Sequence, residues 1–276
     1  MILTARAGDA GGTPPPDFRG TTSDGRDPRT DGSVIAFEDE RVTIDLGALD
    51  GLERGARVDV FRNAVPAGTV TIERVFRERA TGAASAGAVQ AGDVVRVPLA
   101  IQVTALLSTA SDRLAAGDRT AARVLMQRAV ERAGTAPATA TARVRALGQL
   151  GALDREAGNL DAAEAGLRAA LREIGGRATV PANDAAEIVN ELGAVLIGRG
   201  QIEEAMRILR GANGQATGAT AVRVANNLAA ALALAGDRIE AERHYREALD
   251  RAAGTPALDR ERRAIQQNLD GLSRIQ

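Results

Sequence analysis

The sequence has no cysteine, no tryptophan and a single histidine. Without cysteine there are no disulfides, thiol nucleophiles or cysteine-based zinc sites, and the redox compartment stays open. A lone histidine cannot build a multi-histidine metal centre. Aromatic residues are 2% of the chain, too few for a base-stacking platform on nucleic acid. An excess of charge of one sign is also missing. The 35 basic and 36 acidic residues leave a net charge of −1, so no overall field recruits nucleic acid or an anionic membrane. No apolar run approaches the ~18 residues of a membrane span, and no direct membrane insertion is expected. At 276 residues the chain has room for two domains.

What is present is a short grid that returns four times in the C-terminal two-thirds. A glycine is followed five residues later by alanine, four later by a large apolar or aromatic residue, and three later by another alanine. The copies are Gly117, Ala122, Met126, Ala129; Gly158, Ala163, Leu167, Ala170; Gly200, Ala205, Leu209, Ala212; and Gly236, Ala241, Tyr245, Ala248. The glycines at 117, 158, 200 and 236 are 41, 42 and 36 residues apart. A period in this range, made of two helices and a tight turn, marks a helical solenoid.

Apolar residues before each glycine share one helical face, as Leu147 and Leu150 do in the second copy and Val189, Leu192 and Leu196 in the third. Each glycine is placed to end a helix in the left-handed region. Asp118, Asn159 and Asp237 follow as N-caps of the next helix, with Gln201 a poorer cap in the third copy. The small alanines mark the close crossing of two helices, where a larger side chain would cost about 1–3 kcal/mol.

These residues resemble the tetratricopeptide repeat. The fourth copy, with Asn226-Asn227-Leu228-Ala229 and Ala241-Glu242-Arg243-His244-Tyr245, is similar to the longer repeats of kinesin light chains and their bacterial relatives. The resemblance covers roughly residues 99–254 and implies four stacked helix pairs. Some positions depart from the family. Arg113 and Asp154 stand where a large aromatic is common, and Gly211 and Gly214 shorten the second helix of copy three. The segment from Leu258 to Ile275, with Ile265, Leu269 and Leu272 on one face, reads as a capping helix over 255–276.

Before Pro98 the composition alternates and is β-branched. Val34–Phe37, Val42–Leu46, Val58–Phe61, Thr69–Ile72 and Val94–Val97 read as strands, with turns at Asp50-Gly51, Ala67-Gly68, Thr81-Gly82 and Ala91-Gly92-Asp93. Five or six short strands over residues 33–98 predict a small antiparallel barrel. Two phrases, Gly51-Leu52-Glu53-Arg54-Gly55-Ala56-Arg57-Val58 and Val89-Gln90-Ala91-Gly92-Asp93-Val94-Val95, resemble the C-terminal domain of flagellar assembly protein T. That resemblance implies a docking module in a bacterial envelope setting. A generic SH3-like or OB-like barrel fits the same strands. Residues 1–32, rich in glycine, proline and charge, read as a disordered or loosely tethered arm.

Enzyme signals are lacking. His244 has no serine or cysteine nucleophile beside it and is expected to be an ordinary surface residue of its helix. Gly175-Gly176 and Gly211-Ala212-Asn213-Gly214 lack the Lys-Ser/Thr ending of a phosphate loop and read as inter-repeat turns. No catalytic residue, metal site or cofactor is expected. The candidate site residues are polar groups on the first helices of the repeats, which in this architecture line the concave face. Asn190 and Asn226 are equivalent, Asn227 follows, and Arg145 and Arg223 lie about one turn earlier. By resemblance to peptide-binding grooves, the Asn side chains are placed to pair with a peptide backbone and the Arg side chains with an acidic group. Asn and Arg are equally common on any exposed helix.

The expected protein is thus an α+β, multidomain, non-enzymatic adaptor: a small antiparallel β-barrel followed by an all-α tetratricopeptide-like helical solenoid. The solenoid would hold a protein or peptide partner in its groove. A structural subunit stacking on another copy through its repeat ends is the alternative. The periplasm or cell envelope is expected if an export signal lies upstream of Met1, otherwise the cytoplasm.

Overall fold

The structure is a computed structural model that describes residues 28–38, 41–87, 89–176 and 180–274. Most of the expected arm, residues 1–27, and Ile275 at the end of the capping segment lie outside the described residues. The chain divides into two compact units, residues 1–105 and 106–276.

The first unit is a closed six-stranded barrel. Its strands are β1 (Asp31–Glu38), β2 (Arg41–Ile44), β3 (Arg57–Arg62), β4 (Val65–Val75), β5 (Ala80–Gly87) and β6 (Val94–Arg96). They run antiparallel in the order β1-β2-β5-β4-β3-β6, and β1 closes on β6 with Ser33 opposite Val94. Period-two alternation puts Val34, Val42, Ile44, Val58, Val60, Val70, Ile72 and Val95 inside. Closure leaves no free edge.

Asp31 and Gly32, read from sequence as part of the arm, open β1. Just before them Arg29 is tied down: its Nε and Nη2 donate to Asp50 at 3.2 and 3.1 Å. A second ion pair joins β3 to the turn before β6, with Arg62 Nε and Nη2 donating to the two Asp93 oxygens at 2.7 and 2.8 Å. This guanidinium holds the Asp93 carboxyl below its ordinary value; burial opposes the shift and the Gln90 N–H adds to it.

Two expected turns are strand instead. Thr81-Gly82 lies inside β5, whose run Ala80-Thr81-Gly82-Ala83-Ala84 has no large apolar residue to announce a strand. Smallness is required there. A Cβ on Gly82 would sit 2.1 Å from the carbonyl oxygen of Thr71 on β4. Ala67-Gly68 belongs to β4, beside register shifts in its pairing with β3 and β5. The β3–β4 hairpin turns at Asn63-Ala64, both with positive φ (51° and 65°), the two-residue geometry that matches strand twist.

From Leu99 the chain is helical: α1 (Leu99–Ala115), α2 (Arg119–Ala133), α3 (Ala140–Glu156), α4 (Leu160–Gly176), α5 (Ala182–Gly198), α6 (Ile202–Asn213), α7 (Gly218–Leu234), α8 (Arg238–Ala252) and α9 (Asp259–Arg274). The pairs α3–α4, α5–α6 and α7–α8 pack as hairpins, and each joins the next through α4–α5 and α6–α7. The four grid glycines end their helices with φ between 74° and 87°. No atom lies near the place of a missing Cβ at any of them, so the backbone conformation alone selects glycine. Asp118 and Asp237 cap α2 and α8 by accepting from the N–H groups of Ala121 and Glu240, whereas Gln201 makes no side-chain cap on α6.

The grid alanines and their large partners Met126, Leu167, Leu209 and Tyr245 are all buried. A second kind of small residue faces them. A Cβ on Gly151 would come within 2.6 Å of Leu167, and one on Gly193 within 2.7 Å of Leu209. One core cluster runs from α3 to α8 through Leu167, Leu192, Leu196, Leu209, Leu228 and Leu232. α6 is shorter than α4 and α8, as Gly211 and Gly214 predict. Gly175-Gly176 and Gly211–Asn213 are not free turns; they form the last turns of α4 and α6. α9 buries Ile265, with Leu269 and Leu272 partly covered, and turns Arg260, Arg263, Gln266 and Gln267 outward.

Candidate functional site

Within the helical unit, α5 packs directly on α7, α3 on α5 and α7 on α9, which places the odd-numbered helices along one face. All five sequence-predicted residues lie on them, and the structure divides the five into two groups.

The asparagines come together. Asn268 Nδ2 on α9 donates to Asn226 Oδ1 at 3.2 Å, Asn226 Nδ2 to Asn227 Oδ1 at 3.3 Å, and Asn227 Nδ2 to Asn190 Oδ1 on α5 at 2.9 Å. The result is a one-way amide chain across α9, α7 and α5. Asn190 at its end is only 2% exposed. Burial of an amide requires such a partner, and Asn227 supplies it.

The arginines are paired with carboxylates of adjacent repeats. Arg223 Nη2 on α7 donates to Glu187 Oε2 on α5 at 2.6 Å, while its buried Nε has no hydrogen-bond partner. Arg145 on α3 is half exposed and only 3.6 Å from Asp184 Oδ2, a looser contact. Arg155 on α3 donates to Glu191 on α5 at 2.8 Å. Further out, Arg168 on α4 reaches both oxygens of Glu204 on α6 at 3.1 and 3.0 Å and holds that carboxyl below its ordinary value.

Between α3 and α5 these residues border a cavity of about 410 Å³. Its floor is apolar and small (Val144, Gly148, Ala152, Ile188), and its walls carry Arg145, Gln149, Asp184, Glu187 and Glu191. Arg145 is the one predicted site residue that lines it; the amide chain and Arg223 lie on the α5–α7 side. Sequence reasoning missed the three acids. Their signal was available, because 184, 187 and 191 follow spacings of three and four on one helix and so share a face.

Two other charged positions differ from a simple solvated surface. Asp154, standing where the repeat often has an aromatic, is buried and receives Arg123 from α2 at 2.8 Å. His244, expected on the surface, is 7% exposed. Side chains of its own helix cover it: Glu247 Oε2 lies 2.8 Å from Nδ1, and the Arg243 guanidinium 3.1 Å from Nε2. Among the described residues no group of His, Cys, Asp or Glu is suited to a metal ion, and no helix is long and apolar enough to cross a membrane.

The tetratricopeptide-repeat family model matches residues 222–253, which cover most of α7 and all of α8. No curated protein matches the sequence. Among solved structures, BtubC (BKLC) from P. vanneervenii is similar at 20% identity and a TM-score of 0.53, over 63% of this chain and 72% of that one. MamA from Desulfovibrio magneticus RS-1 aligns at 17% identity over 62% of this chain and 83% of its own, with a TM-score of 0.45, too low to add to the fold assignment. The family match on the fourth copy, the fold shared with BtubC and the buried grid repeated through the preceding helices agree: the chain carries a tetratricopeptide repeat at residues 222–253 within a stack of like helix pairs, with a six-stranded β-barrel N-terminal to it.

Proposed function

We propose that the protein is an interaction scaffold that holds an extended segment of a partner protein against its odd-numbered helices. The observation that carries this reading is the cavity between α3 and α5. It combines an apolar floor with polar walls on the inner face of stacked repeats, the arrangement expected of a peptide groove. Arg145 stands at its wall with room to engage a ligand, since its contact with Asp184 is long. Asn226 and Asn227 extend the polar strip along α7, and Asn190 and Arg223 hold that strip in register. Within the same proposal, residues 33–98 anchor the molecule in a larger assembly, 99–254 bind, and 255–276 close the stack.

A photo-crosslinking amino acid at Gln149 in the cavity, compared with one at Arg207 on exposed α6, tests the reading in cells of the native host. Adducts from position 149 alone are expected. Adducts from 207 alone would move the interface to the outer face and overturn it.

A further inference from the structure

We infer that the cavity between α3 and α5 takes a basic side chain, a lysine or arginine of an extended partner segment. Its aliphatic stem would lie on the apolar floor and its charged head among Asp184, Glu187 and Glu191. This rests on the reading of the odd-helix face as the docking face. Three carboxylates and one guanidinium, that of Arg145, line the cavity. Arg155 and Arg223, which offset two of these acids, are not part of the lining.

Each acid is held through one oxygen only. Asp184 uses Oδ2 toward Arg145. Glu187 Oε2 accepts from the Thr220 hydroxyl at 2.7 Å and from Arg223 at 2.6 Å. Glu191 Oε2 accepts from Arg155 at 2.8 Å. The second oxygen of each carries no hydrogen bond among the described residues.

An unfilled acceptor set above an apolar floor has a specific complement. Lysine and arginine lay a long methylene stem on apolar surface while the cation stays among polar groups. A charged donor on a carboxylate forms a stronger bond than a neutral pair. An acidic anchor would bring no donor to the open carboxylate oxygens and would set a further carboxylate beside them. A purely apolar anchor would cover the open carboxylate oxygens and leave them unpaired.

The test uses the purified full chain and four oriented nonapeptide libraries, degenerate except for a fixed central Arg, Lys, Leu or Glu. Arg and Lys libraries should be retained about tenfold above the Glu library, as one charge-assisted contact provides. The D184N/E191Q variant should bring Arg retention to within about twofold of Leu. An Ala152→Met variant, which fills the floor without changing charge, should abolish retention of all four; its thermal unfolding reports that it folds. Equal retention of all four libraries, lost with Ala152→Met, would overturn the basic anchor and leave the docking face standing. Preference for Glu would do the same and assign the recognition to Arg145. If no library is retained above the Ala152→Met level, the docking face falls and the basic anchor with it.

Discussion

The barrel closes through partners distant in sequence: Arg96 reaches Asp31 across 65 positions, and β1 lies against β6. The repeats close nothing. Among the described residues their ion pairs span at most about one period, 36 residues from Arg155 to Glu191 and from Arg168 to Glu204 and 38 from Asp161 to Arg199. A closed sheet satisfies every strand within itself, so its outer surface has no required partner. A stack of helix pairs hides its apolar residues between repeats and leaves an inner face open. The cavity and the amide chain lie on that face. The proposed binding role therefore falls to the part of the molecule that cannot complete itself.

Ordered by size, four changes break or sharpen this contrast. Replacing Gly82 with valine forces a side chain into the β4 backbone and should cost at least about 3 kcal/mol. Urea unfolding should show the barrel lost while the helical circular-dichroism signal persists; loss of both signals together would contradict the separate cores. In the repeats, Leu209→Ala should cost about 2–5 kcal/mol by opening a cavity in the central cluster. Because Gly193 packs on that same leucine, Gly193→Ala should cost about 1–3 kcal/mol in the native chain and less beside Leu209→Ala. A double-mutant cycle read by denaturant midpoint checks this coupling.

A third change separates the units by pH. The Asp93 carboxyl is held below its unfolded value by Arg62, so its contribution is present above about pH 4 and is lost as pH falls through the lower, folded value. The barrel of the Asp93→Asn variant should be less stable at pH 7 and show a flatter acid limb than the native barrel. An unchanged acid limb would remove Arg62–Asp93 as its source. The smallest effect is a gain. Gln201→Asp should stabilise the helical unit by about 0.5–1 kcal/mol, since α6 alone among α2, α6 and α8 starts without a side-chain cap. The same thermal melt should show a loss for Asp118→Ala.

Legibility followed side-chain size and periodicity. The grid from Gly117 to Ala248 is visible because its glycines recur where the chain takes a positive φ, and its alanines and large residues recur at buried helix crossings. In the barrel, β-branched alternation identified five of the strands. β5 stayed hidden because close approach to β4 demands Gly82, which with Thr81 locally suggests a turn. The Asn63-Ala64 turn was obscured in the opposite way, since alanine rarely takes positive φ and does not advertise it. For the candidate site, equivalent positions 190 and 226 place Asn190 and Asn226 on the neighbouring helices α5 and α7. The amide chain that links them through Asn227 depends on how α5, α7 and α9 are set against each other, which no local pattern encodes. His244 differs, since its polar partners Arg243 and Glu247 are neighbours on its own helix.

The amide chain from Asn268 to Asn190 also has a mechanical consequence. Directional bonds between amides tie α9 to α7 and α7 to α5, while α3 and α5 are joined by the Arg155–Glu191 ion pair beside the cavity. Links of this kind act in series along a stack of helix pairs, so a segment seated in the α3–α5 cavity would add contacts across that junction and stiffen it.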